Sequence, residues 1–168
     1  MSGPSAVPKK AGSINLLNIK EGTILDSFCG IGGILIEGID MGFNMIGNDI
    51  SWNDLRSSQK NIYYYFPKAN FHLTLAETEK KFLKKESIDG IVTDIPYGKS
   101  CRKEGEDLYE KFVDNSYYFL KPGKRMIVIC ATFTDFEKYA TKNFKLVKEI
   151  YQYINKSLIR KILVLEKS

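Results

Sequence analysis

Two strand-like runs near the carboxyl end, Phe144–Ile154 and Leu158–Glu166, are separated only by Asn155-Lys156-Ser157. So short a connection permits an antiparallel hairpin and nothing else. Every earlier apolar run is instead separated from the next by a stretch long enough to hold a helix. Strands are predicted at Thr23–Phe28, Asn44–Asp49, Asn70–Leu75, Ile88–Thr93 and Lys124–Ala131. Helices are predicted from Gly32 to Met41, Trp52 to Tyr65, Glu77 to Lys85, Asp107 to Leu120 and Asp135 to Thr141, with Pro122-Gly123 as the stop of the fourth. Ile88–Thr93 is apolar enough to be central in a parallel sheet. The fold expected is α/β: a doubly wound, seven-stranded sheet that ends in an antiparallel hairpin. Ligands of such sheets bind beyond the carboxyl ends of the parallel strands, so the residues that matter follow each strand.

Composition narrows the function classes. Lys plus Arg number 25 against 20 Asp plus Glu, a net charge of +5 that suits an anionic partner such as nucleic acid. No apolar run approaches the roughly eighteen residues of a membrane span. Met1-Ser2-Gly3-Pro4 is not followed by the apolar stretch of a signal peptide. Cys29, Cys101 and Cys130 form no Cys-x-x-Cys pair and His72 is the sole histidine, which argues against a metal site and a histidine-based triad. The expected compartment is the reducing cytoplasm. Residues 1–22, with Gly, Pro, Ser and Lys, are expected to pack near the ligand site, with the functional domain over residues 23–168.

The first chemical constellation is Asp26-Ser27-Phe28-Cys29-Gly30-Ile31-Gly32-Gly33, between the first strand and first helix. Glycines there let the backbone approach a ligand, and the helix amino end favours an anionic group. Asp49 ends the second strand, where a carboxylate can hold ribose hydroxyls. A nicotinamide fingerprint would need glycine at position 35, which is Leu35. The second constellation is Thr93-Asp94-Ile95-Pro96-Tyr97-Gly98, after the fourth strand.

The two together resemble the class I, Rossmann-like S-adenosylmethionine-dependent methyltransferases that act on exocyclic amines. With Lys99-Ser100 and Ser157-Leu158-Ile159-Arg160 added, they look like the archaeal and eukaryotic tRNA guanine-N2 methyltransferases that modify guanine 10. The resemblance runs from about Ile14 to Leu165. It implies S-adenosyl-L-methionine as cofactor, contacted by Asp26, Phe28, Cys29, Gly30 and Gly32, with its ribose on Asp49. Its adenine would lie between Ile50 and the loop Leu75-Ala76-Glu77. It implies a catalytic group of Asp94, Ile95, Pro96 and Tyr97. An amine delocalised into a purine ring is a poor nucleophile. Two acceptors, the Asp94 carboxylate and the Ile95 carbonyl, can hold its protons and turn its lone pair toward the methyl group, while Tyr97 stacks on the base. The activation resides in the cofactor, so the protein supplies orientation and electrostatics.

An RNA surface is expected from Lys99, Arg102, Lys103, Lys156 and Arg160, with tRNA the expected substrate. The resemblance also implies an amino-terminal RNA-binding module (a THUMP domain) that 168 residues cannot hold. The expectation is therefore either a fragment of a longer protein or reliance on a separate RNA-binding domain or subunit. Cys130 and Cys29 read as small buried residues, His72 as a surface or satisfied histidine, and Lys80, Lys81, Lys84 and Lys85 as a solvated helix face. Two of Tyr63, Tyr64, Tyr65 and Phe66 are expected in the core. Rival readings are methylation of other RNA guanines, or of adenine and cytosine amines in DNA, and a non-catalytic subunit that binds cofactor or RNA.

Overall fold

The computed structural model describes residues 12–96, 105–155 and 158–168. The chain runs from a 3-10 turn at Ile14–Leu17 through β1 (Thr23–Asp26), α1 (Gly33–Asp40), β2 (Asn44–Asp49), α2 (Trp52–Tyr65), β3 (Phe71–Leu75) and β4 (Ile88–Asp94). It continues with α3 (Gly105–Phe119), β5 (Leu120–Ala131), α4 (Glu137–Ala140), β6 (Phe144–Asn155) and β7 (Leu158–Lys167). The seven strands form one sheet in the order β3-β2-β1-β4-β5-β7-β6. The first five are parallel, and β7 runs antiparallel between β5 and β6. The sheet of the sequence reading is therefore the sheet observed, hairpin included.

Adjacent residues in the central strands point to opposite faces, which explains their continuous apolar character. Leu25, Ile91 and Val128 join Phe112 and Phe136 in one core. Their neighbours Ile24, Val92 and Ile127 join Leu35, Leu55 and Ile62 in the other. Ile14 and Leu17 are buried in this second core, so the 3-10 turn is packed into the fold. Helix α2 starts at Ser51, whose Oγ accepts the Asp54 N–H at 3.3 Å.

Three expectations differ from the structure. The stretch from Glu77 to Lys85 forms turns and bends, not a helix. Lys80 with Lys84 and Lys81 with Lys85 would stand one turn apart, and like charges at that spacing oppose so short a helix. Pro122-Gly123 does not separate α3 from β5. Helix α3 ends at Phe119, and the two residues lie in a bulge where one residue of β4, Asp89, faces four of β5. Finally, none of Tyr63, Tyr64, Tyr65 and Phe66 is in the core, because α2 buries the stripe Leu55, Ser58, Asn61 and Ile62 instead. The tyrosines end the helix on its open side, and Tyr63 packs on Phe71 with ring centroids 5.2 Å apart.

Strand order reverses at β1: the chain proceeds to β2 on one side and later to β4 on the other. The crevice at that reversal opens above the carboxyl ends of β1, β2 and β4.

Candidate active site

The glycine turn is built from below by side chains that hold its backbone. Buried Asp26 accepts the Thr93 Oγ1 hydroxyl at 2.7 Å and the Phe28 N–H at 3.3 Å, tying β1 to β4. Asn61 of α2 donates to the Ile31 carbonyl at 3.0 Å. Gly30 and Gly32 have φ of +49° and +89°, a left-handed backbone that disfavours side chains. At Gly32 space is also closed, since a Cβ would meet Ser58 Oγ at 2.4 Å; at Gly30 it is open.

Asp49 connects this turn to β2. Its Oδ2 accepts the Gly30 N–H at 2.8 Å and its Oδ1 accepts the Ser51 N–H at 2.9 Å. Asn48, fully buried beside it, donates to the Ser27 carbonyl at 3.3 Å and the Ala76 carbonyl at 3.0 Å, joining the loops after β1 and β3. Sequence reading passed over Asn48 and Asn61. The available signal for Asn48 was an amide inside an apolar strand next to Asp49.

Between these loops is a cavity of about 400 Å³ lined by Ser27, Phe28, Asp49, Ile50, Ala76, Thr78, Glu79, Asp94, Pro96 and Leu108. It brings together six residues expected from the sequence: Phe28, Asp49, Ile50, Ala76, Asp94 and Pro96. A larger cleft of about 540 Å³ is lined by Thr23, Asn44, Phe71 and Ile88, at the amino ends of the parallel strands. It lacks the glycine turn and both carboxylates, so chemistry favours the smaller one.

On the acceptor side, Asp94 ends β4 with its side chain 13% exposed. Arg160 Nη2 lies 3.7 Å from Asp94 Oδ2, and the Arg160 side chain is 19% exposed. Ile95 is buried, its N–H donating to the Ile129 carbonyl at 3.0 Å. Tyr109 of α3 donates its hydroxyl to the Pro96 carbonyl at 2.7 Å, pinning the loop that follows β4.

Residues 14–162 match the UPF0020 family (RMKL-like, methyltransferase domain). The chain is 36% identical over 96% of its length to a tRNA (guanine(10)-N2)-dimethyltransferase of Methanocaldococcus jannaschii. It is 34% identical over 92% of its length to the protein of the same name from Methanothermobacter thermautotrophicus. The chain belongs to the RMKL-like methyltransferase domain family. It spans 46% of the length of each of those two relatives. The crystal structure of TrmN from Thermus thermophilus shares the fold, with a TM-score of 0.76, 22% identity, and coverage of 93% of this chain and 48% of that one.

The sequence resemblance implies S-adenosylmethionine as the methyl donor of this methyltransferase domain. The residues present fit it. A carboxylate offers about four lone-pair directions. The backbone takes one bond on each Asp49 oxygen, which leaves acceptors for two ribose hydroxyls. The open space over Gly30 leaves the turn bare where a Cβ would otherwise intrude. Ile50, 73% exposed at the cavity edge, offers an apolar face for a base.

Other expected residues take different places in the methyltransferase domain. Asp26 lies beneath the turn, 1% exposed. Cys29 is buried with its Sγ toward Gly47, and burial, reinforced by Asp26 and Asp49, pushes its thiol far up. Cys130 is likewise buried, its pKa pushed up to about 12 chiefly by burial, which leaves no thiolate for nucleophilic work. Leu75 and Glu77 are exposed outside the cavity lining; Glu77 pairs with Lys80 at 3.2 Å. Thr78 and Glu79, absent from the sequence reading, line the cavity there, and Asn115 donates to the Thr78 carbonyl at 2.9 Å. The fixed placement of Thr78 depends on α3, which no local pattern announces. Arg160, expected on a phosphate-binding surface, is turned inward to Asp94. Tyr97, Lys99, Arg102, Lys103 and Lys156 lie outside the described residues.

Proposed function

We propose that this chain is the catalytic domain of an RNA methyltransferase that moves a methyl group from S-adenosylmethionine to the exocyclic N2 amine of guanine in tRNA. One observation carries the reading: Asp94 and Pro96 open onto the same cavity as Phe28 and Asp49. A carboxylate for an amine thus faces a carboxylate for a ribose across one crevice. The names of the two relatives, which specify guanine 10 of tRNA, support the choice of nucleobase and RNA.

When bound, the sulfonium would supply an activated methyl group, the carbon–sulfur bond breaking with its electron pair left on sulfur as a neutral thioether. The chain's own residues supply placement. Asp49 and the Gly30 turn fix the ribose end, Ile50 and Ala76 flank the adenine, and Asp94 accepts a proton of the guanine amine in a hydrogen bond. The Ile95 carbonyl is assigned the second proton and Tyr97 the stacking face. With both protons held in the ring plane, the nitrogen lone pair is directed to the methyl carbon. As the carbon–nitrogen bond forms, positive charge grows on nitrogen, and the Asp94 carboxylate stabilises it without reorganising. Asp94 or water then takes the surplus proton. In this reading residues 23–168 form the catalytic domain, with the turn Ile14–Leu17 packed into its second core. Recognition of the wider RNA falls to a separate domain or subunit, and the setting is cytoplasmic.

The test is mass spectrometry of nucleosides from unmodified tRNA incubated with the chain and S-adenosylmethionine. N2-methylated guanosine is the expected product. Methylation of adenine or cytosine alone, or none with cofactor bound, would overturn the reading.

A further inference from the structure

Arg160 reaches Asp94 from two strands away. Asp94 is paired with Ile129 of β5, and Arg160 with Ala131 of β5 from the opposite side. Strands two apart are separated by roughly 9–10 Å, a gap that a long cationic side chain can bridge. The Arg160 stem crosses β5 within a small cleft it shares with Ile129, Gln152, Ile162 and the turn residues Gly12, Ser13 and Leu16. The amino-terminal turn thus covers the stem. The guanidinium emerges 3.7 Å from the Asp94 carboxylate, both side chains less than one-fifth exposed. Its Nε is buried and has no hydrogen-bond partner among the described residues. A side chain held this way is poorly placed to meet a phosphate.

We propose that Arg160 is a positioning residue that fixes the orientation of the Asp94 carboxylate, and that it is not an RNA contact. The inference rests on the catalytic assignment of Asp94. A guanidinium near an amine that gains positive charge offers no electrostatic help of its own, so its contribution is orientational. It lies against Oδ2, while Oδ1 is buried, and so fixes the plane of the carboxylate. Removing it takes that hold from a mostly buried carboxylate.

The two roles predict different kinetics. Single-turnover transfer to unmodified tRNA is measured at saturating RNA, with RNA affinity across a salt series and cofactor affinity on the same preparations. For Arg160→Met, the rate at saturation should fall roughly 10- to 100-fold, the coupling range of directly contacting groups. RNA affinity, its salt slope and cofactor affinity should hold. Arg160→Lys, which keeps the charge but loses the fork, should recover part of the rate and serves if the Met variant fails to fold. In an Asp94→Asn background Arg160→Met should cost little more. A phosphate contact would give the opposite pattern: weaker RNA binding, a salt slope smaller by about one, and an unchanged saturated rate. That pattern, or additive losses in the double variant, would overturn the proposal. Wild-type rates in both Asp94→Ala and Asp94→Asn would instead overturn the catalytic assignment of Asp94.

Discussion

Asp49 and Asp94 end the two strands that flank β1, yet they are held in different ways. Asp49 is secured by nearby backbone: the Ser51 N–H two residues on and the Gly30 N–H in the adjoining turn. Asp94 is secured by Arg160, a side chain 66 positions later in an antiparallel strand. The first arrangement needs only β1, α1, β2 and the start of α2. The second needs β4, β5, β7 and the amino-terminal turn together. In the proposed reading, cofactor placement is thus a local property of the glycine unit, and acceptor placement a property of the whole sheet. Changes on the acceptor side should reduce turnover and leave cofactor affinity nearly intact; changes on the cofactor side should do the reverse.

The largest expected effect is at Asp94. Asp94→Ala should lower single-turnover transfer by about a hundred- to a thousandfold, as loss of a preorganised group commonly does. Cofactor affinity should change far less, since the interaction belongs to the transition state. Equal losses in both quantities would erase the distinction between the two sides.

Within the glycine turn, position 32 should be much less tolerant than position 30. Gly32→Ala combines a left-handed backbone with a collision on Ser58, and a loss of roughly 2–4 kcal/mol of stability is expected. Gly30→Ala has open space and should lose only about 1–2 kcal/mol. Chemical denaturation of the two variants checks the ranking, and equal losses would mean that Ser58 yields.

Asp49→Ala should weaken cofactor binding by about 1–3 kcal/mol, the range for hydrogen bonds to a charged group. Asp49→Asn keeps one acceptor oxygen but sets its NH2 group against the Gly30 or Ser51 N–H, so it should lose affinity as well. Calorimetry on folded protein is the measurement, and unchanged affinity in the Ala variant would remove Asp49 from the ribose site.

The smallest effect is a control at the far end of the sheet. Asp89 accepts Lys121 at 2.7 Å and the Thr23 N–H at 3.0 Å. Burial pushes its pKa up, but these bonds and the Lys121 charge outweigh burial and hold it below the usual value. A depressed folded pKa gives stability that is present above the unfolded value, about 3.9, and lost as pH falls through the folded one. Lys121→Met should therefore raise the pH of acid unfolding slightly and cost under about 1 kcal/mol at neutral pH, since Lys121 is 41% exposed. Transfer rate and cofactor affinity at neutral pH should not move.

Much of the cofactor side was legible in sequence because its interactions are short-range. The glycine spacing and Asp49 at the strand end specify a turn and its anchor within one β-α-β unit, and the cavity lining includes Phe28, Asp49 and Ile50 as expected. Less was legible where charge pattern stood in for packing. The lysines between Glu77 and Lys85 suggested a helix face, but Phe82 and Leu83 are drawn onto the core and the segment winds over them irregularly. Arg160 shows the same limit. A cation after a hairpin turn reads as surface charge until the neighbouring strand and the turn that covers it are known.

The order of apolar runs, the three-residue link between the last two and the positions of Asp49 and Asp94 at strand ends determined the seven-stranded sheet and the edge at which the candidate site lies. These follow from local periodicity and chain connectivity, which a linear sequence records directly. Tertiary structure alone decided that Thr78 and Glu79, not Leu75 and Glu77, line the cavity, that Asn48 joins two loops, and that Arg160 crosses β5 to reach Asp94. Those contacts join residues far apart in the chain. Their geometry is set by sheet register and twist and by the helices packed on the two faces, and no spacing along the sequence encodes it.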